Sequence, residues 1–173
     1  MILVMSSGFV IDVGDLLTHP GRTRLVEVAG PIDAAIEHAR VAGPVVVRLR
    51  LEGLSDGVFA KGVIEVPIHL VCNRCLAEWE EELVVEMKQL FARDLAEDIY
   101  RVEDQSIDLE NPIRDEVVLV LPLVSVCRES CRGLCATCGA DLNTAPCQGH
   151  DEEEGHDEEE ASPFALLKDL LPD

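Results

Sequence analysis

Two Cys-x-x-Cys pairs, Cys72-Asn73-Arg74-Cys75 and Cys135-Ala136-Thr137-Cys138, stand out in a chain of 173 residues with seven cysteines. Two residues between the cysteines let both sulfurs turn toward one ion, as in zinc knuckles and ribbons. Gly139, directly after the second pair, permits the positive φ that such a turn often needs. Two knuckles from separate stretches can close a tetrahedral four-sulfur site. Cys72, Cys75, Cys135 and Cys138 are therefore the leading ligand set, and zinc the leading metal. Spacing alone leaves alternatives. Cys127, Cys131, Cys135 and Cys138 run as CxxxCxxxCxxC, and Cys147 or His150 can replace a member. One four-ligand ion cannot use seven thiols, so Cys127, Cys131 and Cys147 stand as alternates.

The same thiols admit other chemistry. An odd number of cysteines argues against complete disulfide pairing. The first residues carry no basic segment, and Asp12 interrupts their apolar run, so no export signal is expected and Met5 offers an alternative start. A reducing cytoplasm follows, where clustered thiols hold metal or do redox work. A thioredoxin-like pair sits at a helix N-terminus, which lowers a thiol pKa. Here the first pair runs into another strand pattern, so a thiol redox protein or sensor is the second reading. An iron–sulfur cluster needs four thiolates as well, and Cys72 on an apolar strand face also suits an inert buried thiol. There is no phosphate-binding glycine loop, dinucleotide-binding glycine pattern, HExxH or GxSxG. His38, His69 and His156 lack catalytic partners, and no catalytic residue is assigned.

The formal net charge is −20, and Asp151–Glu160 holds eight acids without a basic residue. A chain this acidic is repelled by phosphate backbones, so direct RNA binding is disfavoured, DNA is not expected, and basic proteins are the more natural partners, although acidity equally serves to keep a protein soluble. Direct RNA contact would need Arg48, Arg50, Arg74, Arg128 and Arg132 to cluster. Apolar residues make up 47% and aromatics 3%, giving an aliphatic core. No stretch approaches the ~20 apolar residues of a membrane helix.

The elements that must position the thiols read as α+β: an antiparallel meander with flanking helices, plus a small C-terminal Cys-rich zinc-knuckle-like module. Phe9–Val13 and Arg22–Val28 read as strands, the first leading into a turn or helix. "GPIDAAIEHARVAGP" has helix punctuation at both ends. Three segments alternate with period two: Val45 to Leu51, Ile64 to Cys72, and Leu83 to Phe91. "GLSDG" and "CNRCLAE" are their turns, and Pro67 marks an edge or bulge. Asp94–Ser106 reads as an acidic loop. "NPIRDEVVLVLP" resembles a helix capped by Asn111, with Ile113, Val117, Val120 and Leu121 on one face, although "VVLVL" equally suits a strand. The expected division is 1–122 as the α+β domain, 123–150 as the Cys-rich module, 151–161 as an acidic disordered linker and 162–173 as a short amphipathic helix.

Three stretches give these patterns a family likeness. "VIEVPIHLVCNRCLAEWEEEL", "IRDEVVLVLPLVSVCRESCRGLCATCGADLN" and "SPFALLKDL" resemble the strand–CxRC–strand hairpin, the proline-ended helix with its CxGLCxxCGxxLN element, and the terminal helix of the YceD family of large ribosomal RNA subunit accumulation proteins. The resemblance implies a non-enzymatic role in large-subunit ribosome biogenesis. It implies, too, a partner that is a basic ribosomal protein or a large-subunit precursor, since family genes commonly neighbour that of a small basic ribosomal protein.

Overall fold

The structure is a computed structural model and describes residues 4–93 and 100–147. It is strand-rich. In chain order the elements are β1 (Val4–Ser7), β2 (Val10–Asp12), α1 (Gly14–Leu17), β3 (Thr23–Gly30), β4 (Ala35–Ile36), β5 (Ala39–Val41), β6 (Val45–Gly53), β7 (Gly57–Val71), β8 (Glu78–Ala92), β9 (Tyr100–Glu103), β10 (Ser106–Asp108) and α2 (Glu110–Val120).

Period-two hydrophobicity builds the centre. Val45, Val47, Leu49 and Leu51 on β6 are buried, as are Ile64, Val66, Ile68 and Leu70 on β7 and Val85, Met87 and Phe91 on β8. Burying each such side chain contributes about 1.5–3 kcal/mol. β7 and β8 form a hairpin of two 15-residue strands in continuous antiparallel register, Gly57 opposite Ala92 through Val71 opposite Glu78. Only the first part of β7, up to Glu65, pairs with β6; β5 takes over from Ile68 to Leu70. Pro67 lies in the gap between them. Its carbonyl accepts from Ala42 N–H on that side, so its missing N–H falls where no ladder bond is needed.

The strand order is β1-β3-β6-β7-β8-β9-β10-β2, with β4 and β5 attached beside β7. β1 and β2 thus stand at opposite ends of the path, yet only Gly8 and Phe9 separate them in sequence. The three steps from Ser7 to Val10 span at most about 11 Å, so the sheet must curl until its ends meet. Phe9 closes the seam: its ring lies against Gly30 at the end of β3, and its carbonyl accepts from Leu109 N–H at 3.0 Å.

Helices flank this sheet less than the sequence suggests. The stretch 30–44 is not a helix but the small β4–β5 hairpin, with Ala35 opposite Arg40 and Ile36 opposite Ala39. The unpaired end of β7 supplies a strand partner, and that tertiary pairing outweighs the helical spacing of the apolar residues. The expected acidic loop contains the hairpin β9–β10, turning through Asp104 and Gln105 at φ 45° and 63°. Those positive φ values suit a tight hairpin turn, but the glycine that usually announces it is missing. α2 forms as expected, with Ile113, Val117 and Leu121 buried, whereas Val120 is 42% exposed. Its start is held by Asp108, whose carboxylate accepts from Glu110 N–H at 2.9 Å; Asn111 receives Arg114 instead.

The chain divides into two compact units, one ending at Gly133 and one beginning at Leu134. Cys127 and Cys131 therefore belong with the sheet. The acidic stretch 151–161 and the terminal segment 162–173 lie outside the described residues.

Candidate metal centre

The β7–β8 hairpin ends in a knuckle. Cys72 N–H donates to Ala77 O at 2.8 Å and Leu76 N–H to Cys72 O at 2.9 Å, with Leu76 at φ 59°. This folds the sulfurs of Cys72 and Cys75 to one side. After α2, Pro122 ends the helix and the chain returns across the hairpin tip. Asn73 N–H donates to Ser125 O at 2.8 Å, and Ser125 N–H donates back to Asn73 Oδ1 at 2.7 Å. Arg74 donates to the carbonyls of Cys131 at 3.0 Å and Glu129 at 3.4 Å. Gly133, at φ 77°, lets the chain pass Arg74, whose carbonyl oxygen would lie 3.0 Å from a Cβ there.

The two middle residues of the CxRC motif thus dock the second segment, and docking brings in its thiols. Cys72, Cys75, Cys127 and Cys131 place their sulfurs within 4.8 Å of one another. Cys72 Sγ lies 3.9 Å from Cys131 Sγ, and Cys75 Sγ 3.7 Å from Cys127 Sγ. Zinc–sulfur bonds of about 2.3 Å in a tetrahedron put sulfurs about 3.8 Å apart, so these edges already have the size of a closed four-thiolate site. Cys72 and Cys131 are buried, Cys75 is half-buried and Cys127 exposed.

The electrostatics favour a cation. Burial opposes a thiolate at Cys72, but N–H groups of Cys127, Cys75 and Arg74 outweigh it and bring the thiol down to about 6. Burial and the neighbouring sulfurs of Cys75, Cys131 and Cys72 push Cys127 up to about 12. Negative charge gathered on one sulfur suppresses ionisation of the next, and a bound divalent ion would relieve that conflict.

The structure groups the thiols otherwise than the leading sequence set did. Cys72 and Cys75 meet Cys127 and Cys131, while Cys135 and Cys138 meet Cys147, their sulfurs also within 4.8 Å. In that second group the N–H groups of Cys138 and Thr137 bring Cys135 down to about 6 against its burial. The sulfurs of Cys138 and Cys135, then burial, push Cys147 up to about 12. All seven cysteines are thiols. Either cluster could hold a metal ion. Sequence reasoning named every one of these cysteines but missed the clamping roles of Asn73 and Arg74. The CxRC motif carried that signal in its two middle residues.

The arginines considered for RNA contact are engaged elsewhere in two cases. Arg48 bridges Glu27 and Glu65 across three strands, which raises its pKa further. Arg74 serves the knuckle. The first Cys-x-x-Cys lies between two strands, so no helix N-terminus activates it in the thioredoxin manner. No helix among the described residues is long and apolar enough to cross a membrane.

Comparison with known proteins places this arrangement. The chain is 35% identical over 155 residues to an uncharacterised protein of Mycobacterium tuberculosis, covering 85% of this chain and 70% of that one. It is 34% identical over 157 residues to an uncharacterised protein of Mycobacterium leprae, covering 84% and 72%. It is 24% identical over 172 residues to the chloroplastic large ribosomal RNA subunit accumulation protein YCED homolog 1 of Zea mays, covering 78% and 58%. No solved structure matches significantly. Residues 60–171, which begin on β7 and run through both thiol clusters, match the sequence profile of the large ribosomal RNA subunit accumulation protein YceD, and the chain belongs to that family.

Proposed function

We propose that this protein is a non-enzymatic, cytoplasmic assembly factor that supports accumulation of large-subunit ribosomal RNA by binding a basic ribosomal protein or a large-subunit precursor that presents one. Zinc at Cys72, Cys75, Cys127 and Cys131 fastens the segment after α2 to the tip of the β7–β8 hairpin.

The observation that carries the partner reading is the acidic edge of β8. Beyond Phe91 and Ala92, which pair with β9, the strand has no partner on its second side among the described residues. That edge carries Glu78, Glu80, Glu81, Glu82 and Glu86. Charge there blocks edge-to-edge aggregation and steers a cationic partner. Leu119 and Leu123 are 80% and 83% exposed near the end of α2, which packs on β8. Apolar exposure of this kind suits a protein surface better than a phosphate backbone.

The test is direct binding of the full chain to purified basic large-subunit proteins. Glu80→Lys with Glu82→Lys and Glu86→Lys should weaken binding at least tenfold, and added salt should weaken the wild type similarly. Deleting residues 151–160 should give a smaller loss. Unchanged binding in the charge-reversed variant sinks the reading, as does salt-sensitive binding of naked ribosomal RNA that the same variant strengthens. Thiol labelling separates the redox alternative: a staple reacts slowly until a chelator strips it, whereas a redox centre reacts quickly with the ion in place.

A further inference from the structure

The second thiol cluster repeats the backbone of the first bond for bond. In the first knuckle Cys72 N–H donates to the carbonyl five residues on, and the N–H four residues on returns to Cys72 O. In the second, Cys135 N–H donates to Ala140 O at 2.8 Å and Gly139 N–H to Cys135 O at 2.9 Å. The residue after the second cysteine has positive φ in both, 59° at Leu76 and 73° at Gly139. The residues flanking each knuckle pair in the same register. Val71 faces Glu78 around the first knuckle and Leu134 faces Asp141 around the second. A turn then returns the chain: Asp141 Oδ1 accepts from Asn143 N–H at 2.9 Å, and Asp141 O accepts from Thr144 N–H at 3.2 Å. It delivers Cys147, whose sulfur lies 3.4 Å from that of Cys138.

We propose that Cys135, Cys138 and Cys147 bind a second zinc ion, independent of the first, in a three-thiolate site with an open fourth position among the described residues. A knuckle of this shape exists to aim two sulfurs at one point, and a third sulfur within reach of both leaves room for a shared ion. The open position takes water or another donor. This inference uses none of the ligands assigned to the first site and stands if that assignment fails.

The experiment is native mass spectrometry of the full chain, isolated reduced and without oxygen, with zinc added and the excess removed. Two ions per chain are expected, and one in the Cys135→Ser, Cys138→Ser, Cys147→Ser variant. One ion per chain, retained by the triple variant, overturns the second site and leaves the first. One ion lost in the triple variant but retained by Cys127→Ser, Cys131→Ser overturns the first and leaves the second. A Cys138–Cys147 disulfide in place of an ion, read as the loss of two hydrogens, overturns the second site.

Discussion

The knuckle at Cys72 caps a hairpin of two 15-residue strands, whereas the knuckle at Cys135 rests on one bridging pair, Leu134 with Asp141. Around the first, the remaining thiols come from far along the chain: Cys75 and Cys127 are 52 positions apart, and Cys72 and Cys131 are 59 apart. Around the second, Cys138 and Cys147 are 9 apart. Closing a loop costs entropy that grows with the logarithm of its length, so linking across 52 positions constrains the unfolded chain by about 1.5 kcal/mol more than linking across 9. One fold of backbone can thus serve two ends. Docked on a sheet, it joins distant segments; standing in a local loop, it orders only itself.

The largest expected effect breaks the first cluster. Cys72→Ser removes a fully buried thiol of the proposed zinc site and should lower stability of the sheet by at least ~3 kcal/mol, because a structural metal contributes folding free energy directly. Urea unfolding of the purified variant checks it. If the loss is below ~1 kcal/mol, the first cluster is not the staple the comparison makes it.

Arg74→Met comes next. It keeps the side-chain stem but loses the bonds to the carbonyls of Cys131 and Glu129, and should cost about 1–2 kcal/mol. Lysine at this position should restore only part of it, since a point charge cannot reproduce the guanidinium fork.

An exchange at the positive-φ position sharpens the comparison. Leu76→Gly relieves a strained conformation and should stabilise the first knuckle by about 0.5–1 kcal/mol. Gly139→Ala meets no atom within 4 Å, so its cost of about 1 kcal/mol is conformational alone. It should weaken zinc binding to the second cluster about fivefold while leaving sheet unfolding unchanged. A parallel shift in both clusters would dissolve the distinction between them.

The smallest effect bounds how far the first cluster reaches. Tyr100 is the only tyrosine; its hydroxyl donates to Asp115 on α2, and its ring lies 5.9 Å from that of Phe91. Burial, then the Asp115 carboxylate, pushes the phenol up to about 12. The folded protein therefore holds this proton more tightly than the unfolded chain. Its contribution is complete below pH ~10 and is lost as pH rises from there to about 12. Asp115→Asn should lower the midpoint in an ultraviolet titration by less than the whole shift, since burial is the larger cause. Stripping metal should leave that midpoint in place; a fall would show that α2 loosens with the staple.

The sequence makes the meander legible because each strand carries its own period, and it makes both knuckles legible because Cys-x-x-Cys turns are local. Which thiols meet is not local. Nothing in the spacing says that Asn73 and Arg74 will grip the backbone around Ser125 and Cys131, and that grip decides the grouping. The β4–β5 hairpin escapes notice for a related reason. Ile32, Ala35, Ile36 and Ala39 keep a helical period, but the free end of β7 rewards a strand. At β9–β10 the turn uses Asp104 and Gln105 where a glycine would have signalled it.

The seam at Phe9 bears on how the chain folds while it is being made. Val10–Asp12 leaves the ribosome nearly a hundred residues ahead of its partner Ser106–Asp108. At ~5–20 residues per second, the early strand waits on the order of 5–20 s before its ladder can form. A sheet closed by two strands made that far apart has a built-in clock, and until it runs out an unpaired edge stands open to helpers and to misassembly.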